Sequence, residues 1–459
     1  MTRSYAELRA EYAAQRLSPV EVACEALARA EAAQRDFNCF ALIDHERALA
    51  AARASESRWR AGAPLSPLDG MPVGIKEFAQ VEGWPTRYAS AVTGDAPAPR
   101  STPFAARLLE AGAVVIGKTR APEFNWKGVT DSPAFGVTRN PLDPSKTPGG
   151  SSGGCAAAVA SGVVRVSIGS DAGGAGRVSP AVSGVLGLKP GLRRLPLWPH
   201  PPPFSGIAHV GPLAASADDL GDALAVMSGP SVDDWTAFDD PDFRQRLTGA
   251  RVSSDLRIGL FNPAQWRSCA PEIGEAMAQA VAVLGEAFQL RDVSFDLDSA
   301  TFVADRFYRL GCAQIFRTTP AKDHASLDPG LRAFVQPVAG LTMEDYIDLM
   351  RRRDALGAGL AALFQSVDAL VLPTVPIFAF EAGRNAPADR DSDDWMAWNP
   401  FTPAFNLLHV PALSVPLWPQ GSALPAGLQL VARFGADERL VALARWLEAH
   451  PSGLFTRSR

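Results

Sequence analysis

Apolar and polar positions along this chain switch repeatedly between a helical period and short β-type runs. Residues 5–34 repeat at helical spacing, and Ser18-Pro19 with Glu21 marks the start of a second helix. Residues 45–61 continue as a surface helix. Residues 71–75 read as a short buried strand with Lys76 at its end. Residues 102–111 predict a helix closed by Gly112, and 113–117 a strand. A small-residue helix over 155–160 leads into a strand over 163–168. Further helices are expected over 218–227, 271–288, most of 300–366 and 437–449. Further strands are expected over 252–259, 369–375, 412–417 and 426–432. Residues 121–145, 230–250 and 381–396 read as loops, and 195–203 as a stiff proline-rich excursion. Helices and strands alternate without an internal repeat. That pattern predicts one α/β layer structure, although 459 residues alone would suggest roughly three domains.

The stretch 148–190 stands apart. Two glycine-rich turns, Gly149 to Gly154 and Gly173 to Gly176, bracket an Ala/Val segment. Linkers do not carry apolar runs on both sides. Glycine lets backbone approach a ligand closely, and clustered N–H groups there make a concavity for negative charge. Gly112 to Thr119 matches the phosphate-loop pattern, but its middle residues are apolar and largely β-branched. They read as a buried strand, so a nucleotide-hydrolysing function is rejected.

Composition narrows the function. Hydrophobic residues are 47% and the net charge is −5 without a basic block, which argues for a globular chain and against a nucleic-acid partner. The N-terminus lacks a signal-peptide core and no apolar run is long enough to span a bilayer, so a cytoplasmic protein is expected. The five cysteines form no close pairs and no two of the six histidines sit at i, i+4. Neither a metal site nor a cofactor is expected. No histidine stands beside the glycine turns, so Ser–His–Asp chemistry is disfavoured. A lysine can replace histidine as a base if burial keeps it neutral, and Lys76 follows apolar Val73 and Ile75.

Several ordered motifs resemble the amidase signature family over nearly the whole chain. They are Leu68 to Lys76; Ala111 to Thr119 with Glu123-Phe124; Asn140-Pro141; and Pro148 to Gly154. Asp171-Ala-Gly-Gly with Arg177, Gly187 to Pro190, Gly211 to Ala214 with Asp219, Pro373-Thr374 and Leu424 to Gln429 follow. The resemblance implies one α/β/α domain around a central mixed sheet. Residues 1–64 would be a helical segment packed on it, 65–215 the signature core, and 216–459 the remaining sheet and covering helices. It also implies C–N hydrolysis through an acyl-enzyme by a Ser–cis-Ser–Lys triad. Lys76 would be the base and Ser151, after a cis peptide, the relay. Backbone N–H groups of Ala172, Gly173, Gly174 and residue 175 would form the oxyanion hole. Ser152, Asp171 and Arg177 would support it. Phe124, Asn125, Trp126 and Trp198 are expected to line the substrate pocket, and the local aromatic content with Phe204 suggests a bulky or aryl amide, or a carbamate.

The chain departs from the family at the nucleophile, where Ala175 stands in the serine column. A methyl group can neither lose a proton nor attack. Ser170 and Ser179 lie several residues off, and side chains on a strand reverse facing at each step, so neither is expected to substitute. Cys155 is expected to pack. Retention of Lys76 and Ser151 favours an engineered or recent loss. Glu77 stands where Asp is usual, Gly176 where a β-branched residue is usual, and Pro180 is shifted by one. Three readings stay open: an inactivated amidase, a non-catalytic binding homologue, and a glutaminase subunit of a tRNA-dependent amidotransferase. Homodimerisation is left open.

Overall fold

The computed structural model describes residues 3–198, 204, 206–261, 266, 268–390 and 392–457. Its first strands are β1 (Phe40–Ile43), β2 (Pro72–Lys76), β3 (Val114–Thr119), β4 (Asp131–Ser132), β5 (Gly136–Val137) and β6 (Val166–Asp171). Then come β7 (Leu186–Lys189), β8 (His209–Ala214), β9 (Arg257–Phe261), β10 (Gln289–Val293), β11 (Ala369–Pro373), β12 (Ala412–Leu417) and β13 (Ala426–Ala432). Eleven of these make one sheet in the order β1-β3-β2-β6-β8-β7-β12-β13-β11-β9-β10, while β4 and β5 form a separate ribbon. β2 runs parallel to β3 and β6, whereas β8, β7, β12 and β13 pair antiparallel to their neighbours. The sheet is therefore mixed, as expected.

Helices cover both faces because strand side chains alternate. Val115 packs in the layer that holds Phe104, Leu220 and Leu440. Val114 and Ile116, its neighbours, pack in the other layer with Leu27, Ala52 and Ala157. The helix Pro19–Phe37 starts at a Ser18–Glu21 capping box, as the sequence suggests. Among the described residues no helix is long and apolar enough to cross a membrane. Residues 199–203 of the proline-rich excursion lie outside the described residues.

The phosphate-loop look-alike is indeed strand β3. A Cβ on Gly117 would sit 2.0 Å from the Leu42 carbonyl oxygen of β1, so this position admits only glycine. Lys118 Nζ donates to Pro85 O (2.7 Å) and Thr86 Oγ1 (2.9 Å) rather than waiting for a phosphate. Gly117→Ala should push β1 away and cost about 1–3 kcal/mol of stability. A denaturant melt that leaves stability unchanged would refute this packing.

Candidate active site

The carboxyl ends of parallel strands β2 and β6 carry the chemistry, the usual place for a site in an open α/β sheet. Lys76 closes β2 and is fully buried. Its Nζ lies within hydrogen-bond distance of Ser151 Oγ (2.7 Å), Ser170 Oγ (2.8 Å) and Ser152 Oγ (3.2 Å). The Gly150–Ser151 peptide is cis, and the helix Gly153–Ala160 follows immediately. Burial pulls the Lys76 amine down from 10.5 to about 7; Cys155, Asp171 and Glu77 oppose the shift without cancelling it. A neutral amine beside hydroxyls is a proton acceptor.

Ser152 supports this group. Its Oγ donates to the Ser170 carbonyl (2.9 Å) and accepts the Ser170 N–H (3.3 Å). Glu77 accepts the N–H groups of Ala121 (2.8 Å) and Ala89 (3.2 Å), tying two loops to the end of β2. The position where Asp is usual thus holds backbone, one carbon further out.

The second glycine turn is held from within by Asp171. Its Oδ1 accepts the Gly174 N–H (2.7 Å) and its Oδ2 the Gly176 N–H (3.1 Å). Arg177, fully buried, donates to both carboxylate oxygens (2.8 and 3.0 Å), to Thr402 O (2.9 Å) and to Gln429 Oε1 (2.7 Å). It also reaches Asn406 Oδ1 (2.5 Å). Desolvation pushes the Asp171 carboxyl up, but the Arg177 charge and hydrogen bonds, Lys189 and Asn406 together hold it below its usual value. Gly174 adopts φ +132, and a Cβ there would meet Thr402 Oγ1 at 2.1 Å, so the turn requires glycine.

This bracing revises the expected oxyanion hole. The Gly174 N–H is spent on Asp171 and is not a free donor. The N–H groups of Ala172, Gly173 and Ala175 donate to no described residue, which leaves them available to a ligand. Asn399 Nδ2 (2.7 Å) and Thr402 Oγ1 (2.8 Å) pin the Gly173 carbonyl. Ala175 opens the helix Ala175–Ser183, whose N-terminal dipole adds to the same field.

A small cavity of about 40 Å³ abuts these groups, lined by Ser151, Ser170, Ala172, Phe78, Tyr88, Phe124, Asn125, Phe204, Ala208 and Ile315. Phe124 and Asn125 are where the sequence places them. Trp126 and Trp198 are not. Trp126 is buried against Phe334, and Trp198 lies 54% exposed on the surface. The expectation of a loop over 381–396 also gives way at its end. Trp395 is buried and contacts Tyr308, whose hydroxyl donates to Asn125 O (2.8 Å). A roomier cleft of about 590 Å³ at Arg251, Asp255, Arg257 and Glu438 holds no comparable lysine–hydroxyl network.

The model of the family described as Amidase matches residues 21–441. The chain belongs to the amidase family. It is 34% identical to a glutamyl-tRNA(Gln) amidotransferase subunit of Chloroflexus aggregans, over 92% of this chain and 91% of that one. Among solved structures it resembles a protein of a vestigial complex tied to the origins of an s-triazine catabolic enzyme. There the TM-score is 0.87 at 28% identity, covering 97% and 98% of the two chains. It also resembles a bacterial aryl acylamidase of the amidase signature enzymes, with TM-score 0.86 and 25% identity over 98% and 96%. Amidase chemistry cleaves C–N bonds, and the Lys76 cluster is suited to moving the protons such cleavage requires.

Sequence reasoning names Ser170 only to set it aside, and misses Asn399, Thr402, Asn406 and Tyr308. A single signal was present for one of them: Asn406 is a lone amide inside an apolar helical run.

With a serine at position 175, kcat/KM should rise with pH through about 7, as the Lys76 ammonium gives up its proton. The check is the pH–rate profile of Ala175→Ser on any turned-over amide. A flat profile between pH 6 and 8, about one unit either side of that midpoint, would exclude Lys76 as the base.

Proposed function

We propose that this chain is an amide hydrolase site, acting through an acyl-enzyme, in which the attacking hydroxyl at position 175 has been replaced by a methyl. The observation that carries it is one buried amine shared by three serine hydroxyls at the wall of a small apolar cavity. Lys76 takes the proton, Ser151 passes it, and the free N–H groups of residues 172, 173 and 175 meet the carbonyl oxygen. The cavity's described lining carries no charged side chain, and 40 Å³ admits roughly three waters or a short acyl chain. The substrate is therefore an uncharged amide or carbamate with an apolar acyl side.

A second reading, as the glutaminase component of a larger enzyme, is favoured by the likeness to glutamyl-tRNA(Gln) amidotransferase chains. Against it, glutamine would bring an ammonium and a carboxylate to an uncharged wall. Burying an unpaired ion costs several kcal/mol. Ala175→Ser should therefore hydrolyse acetamide- or propionamide-sized substrates, with glutamine about 100-fold or more poorer in kcat/KM. Preferred glutamine turnover would exchange the two readings. A folded Ala175→Ser protein that binds amides but turns over none would leave only a binding role.

A further inference from the structure

We infer that Ser170 is the nucleophile left to this chain, a serine five residues before the vacated position that attacks the amide in its place. This rests on the amide-site reading above. Facing counted along the chain from residue 175 sets Ser170 aside, but the neighbour that matters is Lys76. Ser170 Oγ lies 2.8 Å from the Lys76 amine, as close as Ser151 Oγ does at 2.7 Å, and both serines line the cavity. Ala172, in the turn just past the end of β6, lines the same cavity, and its N–H has no described partner. A carbonyl attacked by Ser170 would have this unpartnered N–H in the same cavity wall to take its developing charge. Ser152 clamps the Ser170 peptide through both its N–H and its C=O, so the hydroxyl is presented from a fixed backbone.

The step balances. The Ser170 hydroxyl proton passes to the neutral Lys76 amine as Oγ bonds to the carbonyl carbon and the C=O electron pair moves to oxygen. The pair returns, the C–N bond breaks, and the leaving nitrogen takes the proton from the Lys76 ammonium through Ser151. An ester on Ser170 and a free amine result. Water then attacks the ester, giving its proton to Lys76, which returns it to Ser170 Oγ as the C–O bond breaks.

The test uses the full chain and an alkyl fluorophosphonate, whose fluoride leaves when a serine oxygen bonds to phosphorus. Intact-mass and peptide mass spectrometry locate the adduct in the native chain, in Ser170→Ala, in Ser170→Thr and in Ala175→Ser, each checked for folding by its melt. The native chain should carry the adduct on Ser170. Ser170→Ala should lose labelling by more than about tenfold, and Ser170→Thr should retain part of it. An adduct on Ser151 would overturn the assignment, as would labelling that survives Ser170→Ala. Labelling of Ala175→Ser alone, at residue 175, would overturn it while leaving the amide-site reading intact. No labelling of any folded form would sink both.

Discussion

Lys76→Met, made in the Ala175→Ser protein, is expected to lower kcat/KM by about 10²–10⁴, the usual contribution of a positioned general base. Methionine has a side chain of similar length without a basic amine, so folding should survive while proton transfer does not. Stability should also change its dependence on pH. The folded-state amine titrates near 7 and the unfolded one near 10.5. Between those values the unfolded chain binds the extra proton, so stability of the lysine protein rises with pH across that window. The cost of charging Lys76 is fully present below about 7. The methionine variant should lack this slope. Melts from pH 6 to 10 together with kcat/KM provide the check. An unchanged rate would remove Lys76 from the mechanism.

Arg177→Met should be among the most destabilising single changes in the chain, by about 3–5 kcal/mol. It strips five hydrogen bonds from a fully buried guanidinium and leaves Asp171 as an unpaired buried anion. The N–H groups of Gly174 and Gly176 depend on that anion, so the free donors of the turn should disorder with it. Restored Ala175→Ser activity should vanish at temperatures where the fold still persists. Equilibrium unfolding measures the loss, and a cost below about 1 kcal/mol would show the pair to be dispensable.

Much of the architecture can be read from local pattern. Strands β12 and β13 coincide with the expected 412–417 and 426–432, because each is a short, mostly apolar run bounded by turn residues, with a single polar side chain, Ser414 or Gln429, inside it. Strand β1 escapes such reading. Its four residues are mostly half-buried, and its pairing with β3 shifts register between Phe40 and Leu42. Lys76 and Ser151, which the structure brings together, were legible because each sits in a long motif. Ser170 was not, since facing on a strand that runs into a glycine turn depends on the neighbouring strand rather than on spacing along the chain. Asn399 and Thr402 reach the Gly173 carbonyl from more than 220 residues away, a separation no local pattern encodes. Trp126 and Trp198 show the reverse error, where an aromatic near a motif in sequence lies in the core or on the surface.

The centre of the site is a dehydrated, neutral amine serving three hydroxyls. Its most direct measurement is a ¹⁵N NMR titration of the lysine Nζ groups, with Lys76→Met assigning the resonance. A midpoint near 7 is the result expected here; a midpoint near the ordinary 10.5 would contradict it.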